Sequence, residues 1–374
     1  MLSPKEFYEY LESKGINFYT GVPDSLLKSF CGYISDHAKE SNNIIAANEG
    51  GAIGLAIGYH LATQNIPLVY MQNSGLGNSI NPILSLADQE IYSIPMVLLI
   101  GWRGEPEVKD EPQHLKQGRV MIPMLESMEI PYEILSGEIT KDRKIIDGVL
   151  NKIKKLNCPY ALIARKGIFE DYQYKVISNV KHSLSREEAI KMIVNSLEAK
   201  DFVVSTTGMA SREIYEYREE LKQDHGSDFL TVGGMGHASQ IALGIASNRP
   251  DRHVVCIDGD GAALMHLGSL AINASRKCKN FKHIVINNGC HGSVGGQPTV
   301  AFDIDLGKIC RNLGYKVIEN DNSTEGVLNS LKELLLSEGP SFLEIRVNKD
   351  YRNDLGRPSS SPKENKLSFL KNLI

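Results

Sequence analysis

Residues 254–298 constrain this chain more than any other stretch. They read V-V-C-I-D-G-D-G-A-A-L-M-H, a helix-like segment, then H-I-V-I-N-N-G-C-H-G-S-V-G-G-Q-P. Two apolar runs, Val254–Ile257 and His283–Ile286, each end in a polar, Gly-rich turn. Such runs alternating with helical segments predict parallel strands of an α/β sheet, whose ligands bind beyond the carboxyl ends of the strands. The first turn offers the carboxylate of Asp260 between two glycines; the second offers the Asn288 amide and bare backbone carbonyls. A carboxylate, an amide oxygen and a carbonyl suit a hard cation such as Mg²⁺, which completes its shell with water and phosphate oxygens. Gly259 and Gly261 let a phosphate approach the backbone, and the helix start after them favours an anion.

The rest of the chain repeats this layout. Gly54-Leu55-Ala56-Ile57-Gly58 precedes a strand ending at Gly75-Leu76-Gly77, as Ala242-Leu243-Gly244-Ile245-Ala246 precedes the strand ending at Gly259-Asp260-Gly261. Two copies of one α/β fold are predicted, with different chemistry. Leu76 stands where Asp260 would be, and a neutral Gly-Gly-Met segment stands opposite Glu49. In the first copy, Ser3-Pro4 starts a helix with Glu6 completing a capping box. Strands are expected at Ile16–Tyr19, Ile44–Ala47, Leu68–Met71, Met96–Ile100 and Tyr160–Ala164, with helices from Leu26, over Ala52–Ala62 and around Ile80–Leu86. The charged, Pro-containing piece Glu105–Arg119 reads as one long functional loop. Residues 166–183 lose periodicity and read as a linker. In the second copy, Ser185-Arg186-Glu187-Glu188 starts a helix, and Phe202–Ser205 and Ser341–Val347 are further strands. Gly233-Gly234-Met235-Gly236-His237 opens a helix over Ala238–Ala246, and the tail after Arg352 is irregular before a short last helix.

Composition narrows the function classes. The 374 residues carry a net charge of −4, so nothing global draws the chain to nucleic acid, and phosphate affinity must be local. No apolar run is long enough for a membrane span, and the start lacks a signal-peptide core. Six scattered cysteines without a CxxC pair indicate reduced thiols and a cytoplasmic setting.

With G-D-G followed at 28 residues by N-N, the chain resembles the thiamin diphosphate-dependent 2-keto acid decarboxylase family. The resemblance implies that Asp260, Asn288 and the backbone carbonyl of Cys290 hold Mg²⁺ against the diphosphate, with Gly259, Gly261 and Ala262 lining it. Thr206 and Thr207 match a further diphosphate segment. Glu49 matches the glutamate beside N1′ of the pyrimidine. The Gly233 carbonyl would meet the 4′-amine, and Met235 would support the bent cofactor. The implied fold is two thiamin diphosphate-binding-type domains, each a parallel sheet flanked by helices, with no middle domain. Residues 1–170 form the pyrimidine-binding domain, 171–184 a linker and 185–374 the diphosphate-binding domain. The compact layout, with G-V-P-D-S-L-L, G-W-R-G-E-P-E-V-K-D-E-P-Q-H and S-V-G-G-Q-P-T, resembles the phosphonopyruvate decarboxylase branch, which serves phosphonate biosynthesis.

That branch implies decarboxylation of a small anionic 2-keto acid, 3-phosphonopyruvate, to phosphonoacetaldehyde by a homodimer or higher homo-oligomer with the site at the interface. Such a substrate needs cations and donors. The available ones are Arg103, Lys109 and His114, together with His291, Ser293 and Gln297. Asp24 and Ser25 lie where related enzymes place a proton relay. His114 and His291 are the candidate proton donors. His237 either approaches the cofactor or closes its helix start; His60 reads as structural, and the Cys290 thiol has no partner base. Sulfopyruvate decarboxylation, action on another 2-keto acid and carboligation are the nearest alternatives. A non-catalytic cofactor-binding regulator and a dinucleotide oxidoreductase are rivals of other classes, the latter resting on an incomplete G-x-G-x-x-G at Gly75.

Overall fold

The computed structural model describes residues 1–175, 182–352 and 354–373. The chain divides into two compact units, Met1–Ile177 with Ser293–Gln297, and Ser178–Gly292 with Pro298–Ile374. Of the expected linker, residues 176–181 lie outside the described residues, and 171–175 form neither helix nor strand.

The first unit is a parallel six-stranded sheet. Its strands are β1 (Tyr19–Gly21), β2 (Asn43–Ile45), β3 (Leu68–Gln72), β4 (Met96–Gly101), β5 (Tyr132–Ile134) and β6 (Pro159–Ala164), ordered β2-β1-β3-β4-β6-β5. The second unit contains β7 (Phe202–Ser205), β8 (Asp228–Leu230), β9 (Val254–Gly259), β10 (Phe281–Asn287), β11 (Lys316–Ile318) and β12 (Ser341–Arg346), ordered β8-β7-β9-β10-β12-β11. The two orders are the same permutation, so the expected duplication holds at the level of topology. Every pairing is parallel. All strand C-termini within a sheet therefore open on one edge, and helices between the strands cover both faces.

Burial on both faces explains the continuous apolar strands. All six residues of β4 and all seven of β10 are buried. Side chains of the central strands alternate between two cores. Leu68, Tyr70, Val97 and Leu99 enter one, while Val69, Met71, Leu98 and Ile100 enter the other. The second unit divides likewise, with Val255, Ile257, Ile284 and Ile286 on one face and Val254, Cys256 and Val285 on the other.

Most expected elements appear, with three kinds of correction. First, Glu105–Arg119 is not one loop: Pro112–Ser127 is a helix with Pro112 in its first turn, leaving only 105–111 irregular. Proline at that position forfeits no helical hydrogen bond, so the charged, Pro-containing text concealed a helix start. Second, β1 begins at Tyr19, three residues later than the expected start at Ile16. At the N-terminus, Ser3 caps Pro4–Ser13 by accepting from the Glu6 N–H. At Arg186–Ser196, the reciprocal Ser185–Glu188 box is complete. Third, β5, β8, β11 and the helices Ile139–Leu156, Met209–Glu220, Leu306–Leu313 and Thr324–Leu336 add to the expected set. Among the described residues, no helix is long and apolar enough to cross a membrane.

The Pro112–Ser127 helix sits hard against the turn after β4. A Cβ at Gly118 would lie 1.6 Å from the Gly104 carbonyl oxygen. Trp102 Nε1 donates to the Gly118 carbonyl at 2.9 Å. By contrast, a Cβ at Gly148, in the helix Ile139–Leu156, would meet nothing within 4 Å. Gly118→Ala should therefore destabilise the fold by about 2 kcal/mol or more, while Gly148→Ala should stabilise it by roughly 0.5–1 kcal/mol. Urea denaturation of both variants checks the opposite signs.

Candidate active site

The first unit gathers its polar residues at the C-terminal ends of β1 to β4. Glu49 is the first residue of the helix Glu49–Thr63, whose N-cap Asn48 accepts from the Gly51 N–H at 2.8 Å. Its side chain is buried, and Asn78 Nδ2 donates to Oε2 at 2.8 Å. A Cβ at Gly75 would sit 2.3 Å from Glu49 Oε1. Gly75 therefore makes room for a carboxyl, which removes the main reason to read Gly75-Leu76-Gly77 as a dinucleotide loop. Leu76, the counterpart of Asp260, is fully buried in the core.

After β1, Asp24 is buried and its Oδ2 accepts from the Leu26 N–H at 3.1 Å. Burial raises its pKa to about 6, against opposing pulls from Arg103 and the backbone N–H groups of Leu26, Ser25 and Leu27. Its carboxyl lies over Gly101, where a Cβ would approach Oδ2 to 2.1 Å. Ser25 links two charged groups: its hydroxyl donates to Asp24 Oδ1 at 3.5 Å and accepts from Arg103 Nη1 at 2.7 Å.

Arg103 is held from several directions. Asn73 Oδ1 accepts its N–H at 3.2 Å, and Asn73 Nδ2 donates to its carbonyl at 2.7 Å. Asp110 takes the guanidinium in a bidentate pair, from Nε at 2.8 Å and Nη2 at 2.5 Å. Burial alone would raise the Asp110 carboxyl, but Arg103 and the N–H groups of Glu111 and Gly104 hold it well below the usual carboxylate range. Arg103 is thus a braced, largely neutralised cation. Lys109, in the irregular segment, is exposed and has no ion pair among the described residues. His114 stands in the first turn of the Pro112–Ser127 helix. Burial first, and Arg103 second, lower its pKa to about 4, so it is neutral at pH 7.

The second unit builds its site on β7, β9 and β10. Asp260 begins the helix Asp260–Met265 and is buried. The Thr299 hydroxyl donates to Oδ2. Burial raises the Asp260 pKa to about 6 against hydrogen bonds from Thr299 and from the N–H groups of Asp260, Asn288 and Gly261. The two asparagines divide their tasks. Asn287 donates to Glu344 Oε1 at 2.7 Å and to the Ala301 carbonyl at 3.2 Å, while its Oδ1 accepts from Gly289 N–H at 2.9 Å. Asn288 Oδ1 accepts the Cys290 N–H at 3.2 Å. Gly289 supports the turn at φ +65°. Cys290 bridges to Pro298, closing the 291–297 segment at its base.

Within that segment His291 lies against Gly261, where a Cβ would come within 3.0 Å of its ring. Burial lowers the His291 pKa to about 4. Gln297 is buried, with neither amide atom hydrogen-bonded among the described residues, and Ser293 is exposed. Gly233 and Met235 are half-buried on the turn after β8, at the switch-point side of the sheet. Gly236, at φ +84°, lets this turn approach Ala262 and His266. His237 Nδ1 lies 3.1 Å from the Gly234 carbonyl and 3.2 Å from that of Met235, within the turn, and its side chain makes no capping hydrogen bond to the helix Ala238–Asn248. His60 similarly lies 2.9 Å from the Asn65 carbonyl. Thr206, at the end of β7, is buried with an unpartnered hydroxyl, and Thr207 beside it is half-buried.

This donor set fits a metal–diphosphate group. Asp260 and Asn288 offer hard oxygens, the Thr206 hydroxyl lacks a partner, and a Cβ at Gly259 would meet nothing within 4 Å. Comparison with known proteins decides the family. Residues 5–122 match the N-terminal and 206–345 the C-terminal TPP binding domain of thiamine pyrophosphate enzymes. The chain is 32% identical to phosphonopyruvate decarboxylase of Streptomyces hygroscopicus, over 97% of this chain and 92% of that protein. The chain belongs to the thiamine pyrophosphate enzyme family. It is also 27% identical to sulfopyruvate decarboxylase of Methanosarcina acetivorans, over 92% of this chain and 91% of that protein. Sulfopyruvate decarboxylase subunit beta of Methanothermobacter thermautotrophicus is 35% identical over 44% of this chain and 82% of that subunit.

Sequence reasoning missed the residues that hold this thiamine pyrophosphate enzyme's site from behind: Asn73, Asn78, Asp110, Asn287 and Thr299. Asp110, Asn287 and Thr299 stand inside motifs already singled out in the sequence, whereas Asn73 and Asn78 act across 30 and 29 residues. The raised Asp24 pKa has a direct consequence for stability. A carboxyl with a folded pKa above its unfolded value favours folding below the unfolded value and loses that contribution as pH rises through the folded value. From 3.8 to about 6, the loss is on the order of 3 kcal/mol. Asp24→Asn should therefore gain stability relative to wild type between pH 4 and pH 7. Thermal melts at both pH values check this, and an unchanged difference contradicts the buried charge.

Proposed function

We propose that this chain is a thiamin diphosphate- and Mg²⁺-dependent decarboxylase that converts 3-phosphonopyruvate to phosphonoacetaldehyde and CO₂. The carrying observation is the 32% identity to phosphonopyruvate decarboxylase across 97% of the chain. When bound, thiamin diphosphate supplies the electron sink that a 2-keto acid needs to lose CO₂. Asp260, Asn288 and the Cys290 carbonyl hold Mg²⁺, and Thr206, Thr207, Gly259, Gly261 and Ala262 surround the diphosphate. Gly233 and Met235 orient the aminopyrimidine. Glu49, fixed by Asn78 and Gly75, holds a proton at its N1′ position.

Asp24 and Ser25 form a short proton relay anchored on Arg103. A pKa near 6 lets Asp24 exchange a proton close to neutrality. His114 and His291 serve as neutral hydrogen-bonding groups that gain a proton only beside an anion. Arg103 has five N–H donors, of which three are committed to Asp110 and Ser25. It therefore orients an anionic group, while Lys109 supplies uncompensated charge. Gln297 and Ser293 add neutral donors. A homo-oligomeric state and a cytoplasmic location complete the proposal. All six cysteines are free thiols, which supports a reducing compartment.

Sulfopyruvate decarboxylation is the second reading, favoured by the Methanosarcina relative. Measuring CO₂ release from phosphonopyruvate, sulfopyruvate and pyruvate separates the two. The highest kcat/KM is expected with phosphonopyruvate; release from none of the three contradicts both readings, and release from no 2-keto acid at all would support a non-catalytic binding protein. Glu49→Gln should keep cofactor binding and lower kcat by roughly 100-fold or more. Asp260→Ala should abolish the Mg²⁺-dependent rise in Tm with added thiamin diphosphate. Lys109→Met should raise KM about tenfold with kcat little changed, equivalent to about 1.4 kcal/mol of substrate binding.

A further inference from the structure

Beneath the cofactor turns, a second polar cluster lies inside the second unit. Cys256 and Asp258 share a face of β9, and His283 stands opposite Cys256 in the β10 register. All three side chains are buried, and one candidate ligand atom from each lies within 4.8 Å of the others. His283 Nε2 is 3.3 Å from Asp258 Oδ2, and Cys256 Sγ is 4.0 Å from the same oxygen. Their hydrogen-bonding capacity is poorly met: Asp258 Oδ1 and His283 Nδ1 have no partner among the described residues. The Tyr315 hydroxyl, which feels the charges of Cys256 and Asp258, and Asn273 Nδ2 beside it also lack well-aligned partners. Apolar rings enclose the group, with Phe342 edge-on to His283 at 5.8 Å and Phe281 at 5.9 Å.

Such a cluster is an expensive way to fill a core. A buried carboxylate facing an imperfectly bonded imidazole leaves desolvated lone pairs unmatched. We propose that Cys256, Asp258 and His283 form a structural Zn²⁺ site, separate from the Mg²⁺ site, that staples β9 to β10. Nitrogen and oxygen ligands at zinc distances and a tetrahedral angle stand about 3.3 Å apart, which matches the His283–Asp258 spacing. The sulfur lies about half an ångström beyond its bound spacing and closes on the ion by thiol rotation. Binding releases the Cys256 proton to solvent. A thiolate, a carboxylate and a neutral imidazole then balance the dication, so the buried site carries no net charge. The Tyr315 ring stands 6.4 Å from that of His283.

Donor chemistry separates the two metals. Asp260, Asn288 and a carbonyl present only oxygens and select Mg²⁺; thiolate and imidazole select zinc. Because the ligands are buried, the ion enters as the domain folds. Asp258 is two residues before Asp260, and His283 five before Asn288, so the staple fixes the strand ends from which both Mg²⁺ ligands project.

The test is metal content of the full chain expressed in zinc-supplied medium and dialysed against EDTA, read by mass spectrometry. About one zinc per chain is expected in wild type and in Asp260→Ala, and loss of it in Cys256→Ser. Expression with Co²⁺ should give a thiolate-to-cobalt charge-transfer band that Cys256→Ser lacks. Trace zinc in wild type without a cobalt band, or equal zinc in Cys256→Ser, overturns the proposal. The wild-type measurements stand even where the variant fails to fold, and none depends on activity.

Discussion

The register between β9 and β10 is the constraint on which the rest of the site depends. Gly259 pairs with Ile286, so Asp260 and the Asn287-Asn288 turn leave adjacent strands at the same level. The backbone N–H of Asn288 reaches the Asp260 carboxyl, and Thr299, returning behind the 291–297 segment, bonds the same group. Side chains alternate with a period of two along a strand. A one-residue slip would turn Asp258, Cys256 and His283 out of their shared face and separate the two turns. The register is held by apolar side chains entering both cores at once, and by β12, which pairs with β10 on its other side.

The two units show how one topology carries two kinds of chemistry. Both open on the C-terminal edge of a sheet with the same strand order. In the second unit this edge offers hard oxygens and unpartnered donors, which await a ligand. In the first, most polar groups are already engaged: Asn78 holds Glu49, Asn73 and Asp110 hold Arg103, and Ser25 joins Arg103 to Asp24. Prior engagement limits reorganisation, so charge placed at this edge meets oriented donors and carboxyls.

Much of this was legible in the sequence because it rests on local patterns. Strand–turn–helix text at Glu49, Asp260 and Asn288 locates those residues at strand ends without any tertiary knowledge. The fold class follows from apolar runs alternating with helical segments. The rest was hidden for identifiable reasons. Strands β5, β8 and β11 have three residues each, too few to show a period. Pro112 looked like loop text because proline is equally at home in a turn and in a first helical turn. Asn78 and Thr299 act across 29 and 39 residues of sequence, and only folding brings such pairs together. The pairing of Arg103 with Asp110 is hidden for the same reason. A sequence displays a cation but not the carboxylate that neutralises it.

That neutralisation shapes how the first unit can meet an anionic substrate. Asp24 is pushed toward its protonated form and His114 toward its neutral form, both by burial. Arg103 is matched by Asp110, so this pair brings little net charge to the edge. A multiply charged anion therefore gains orientation from Arg103 more than attraction. On the proposed substrate site, attraction would fall to exposed Lys109, where solvent screening makes it sensitive to salt. As an anion arrives, its charge favours protonation of His114, and it raises the Asp24 pKa further, because like charges disfavour ionisation. Binding would thus bring protons to the site together with the carboxylate that is to be lost. This couples substrate charge to proton supply through Asp24 and His114, neither of which is a cation in advance.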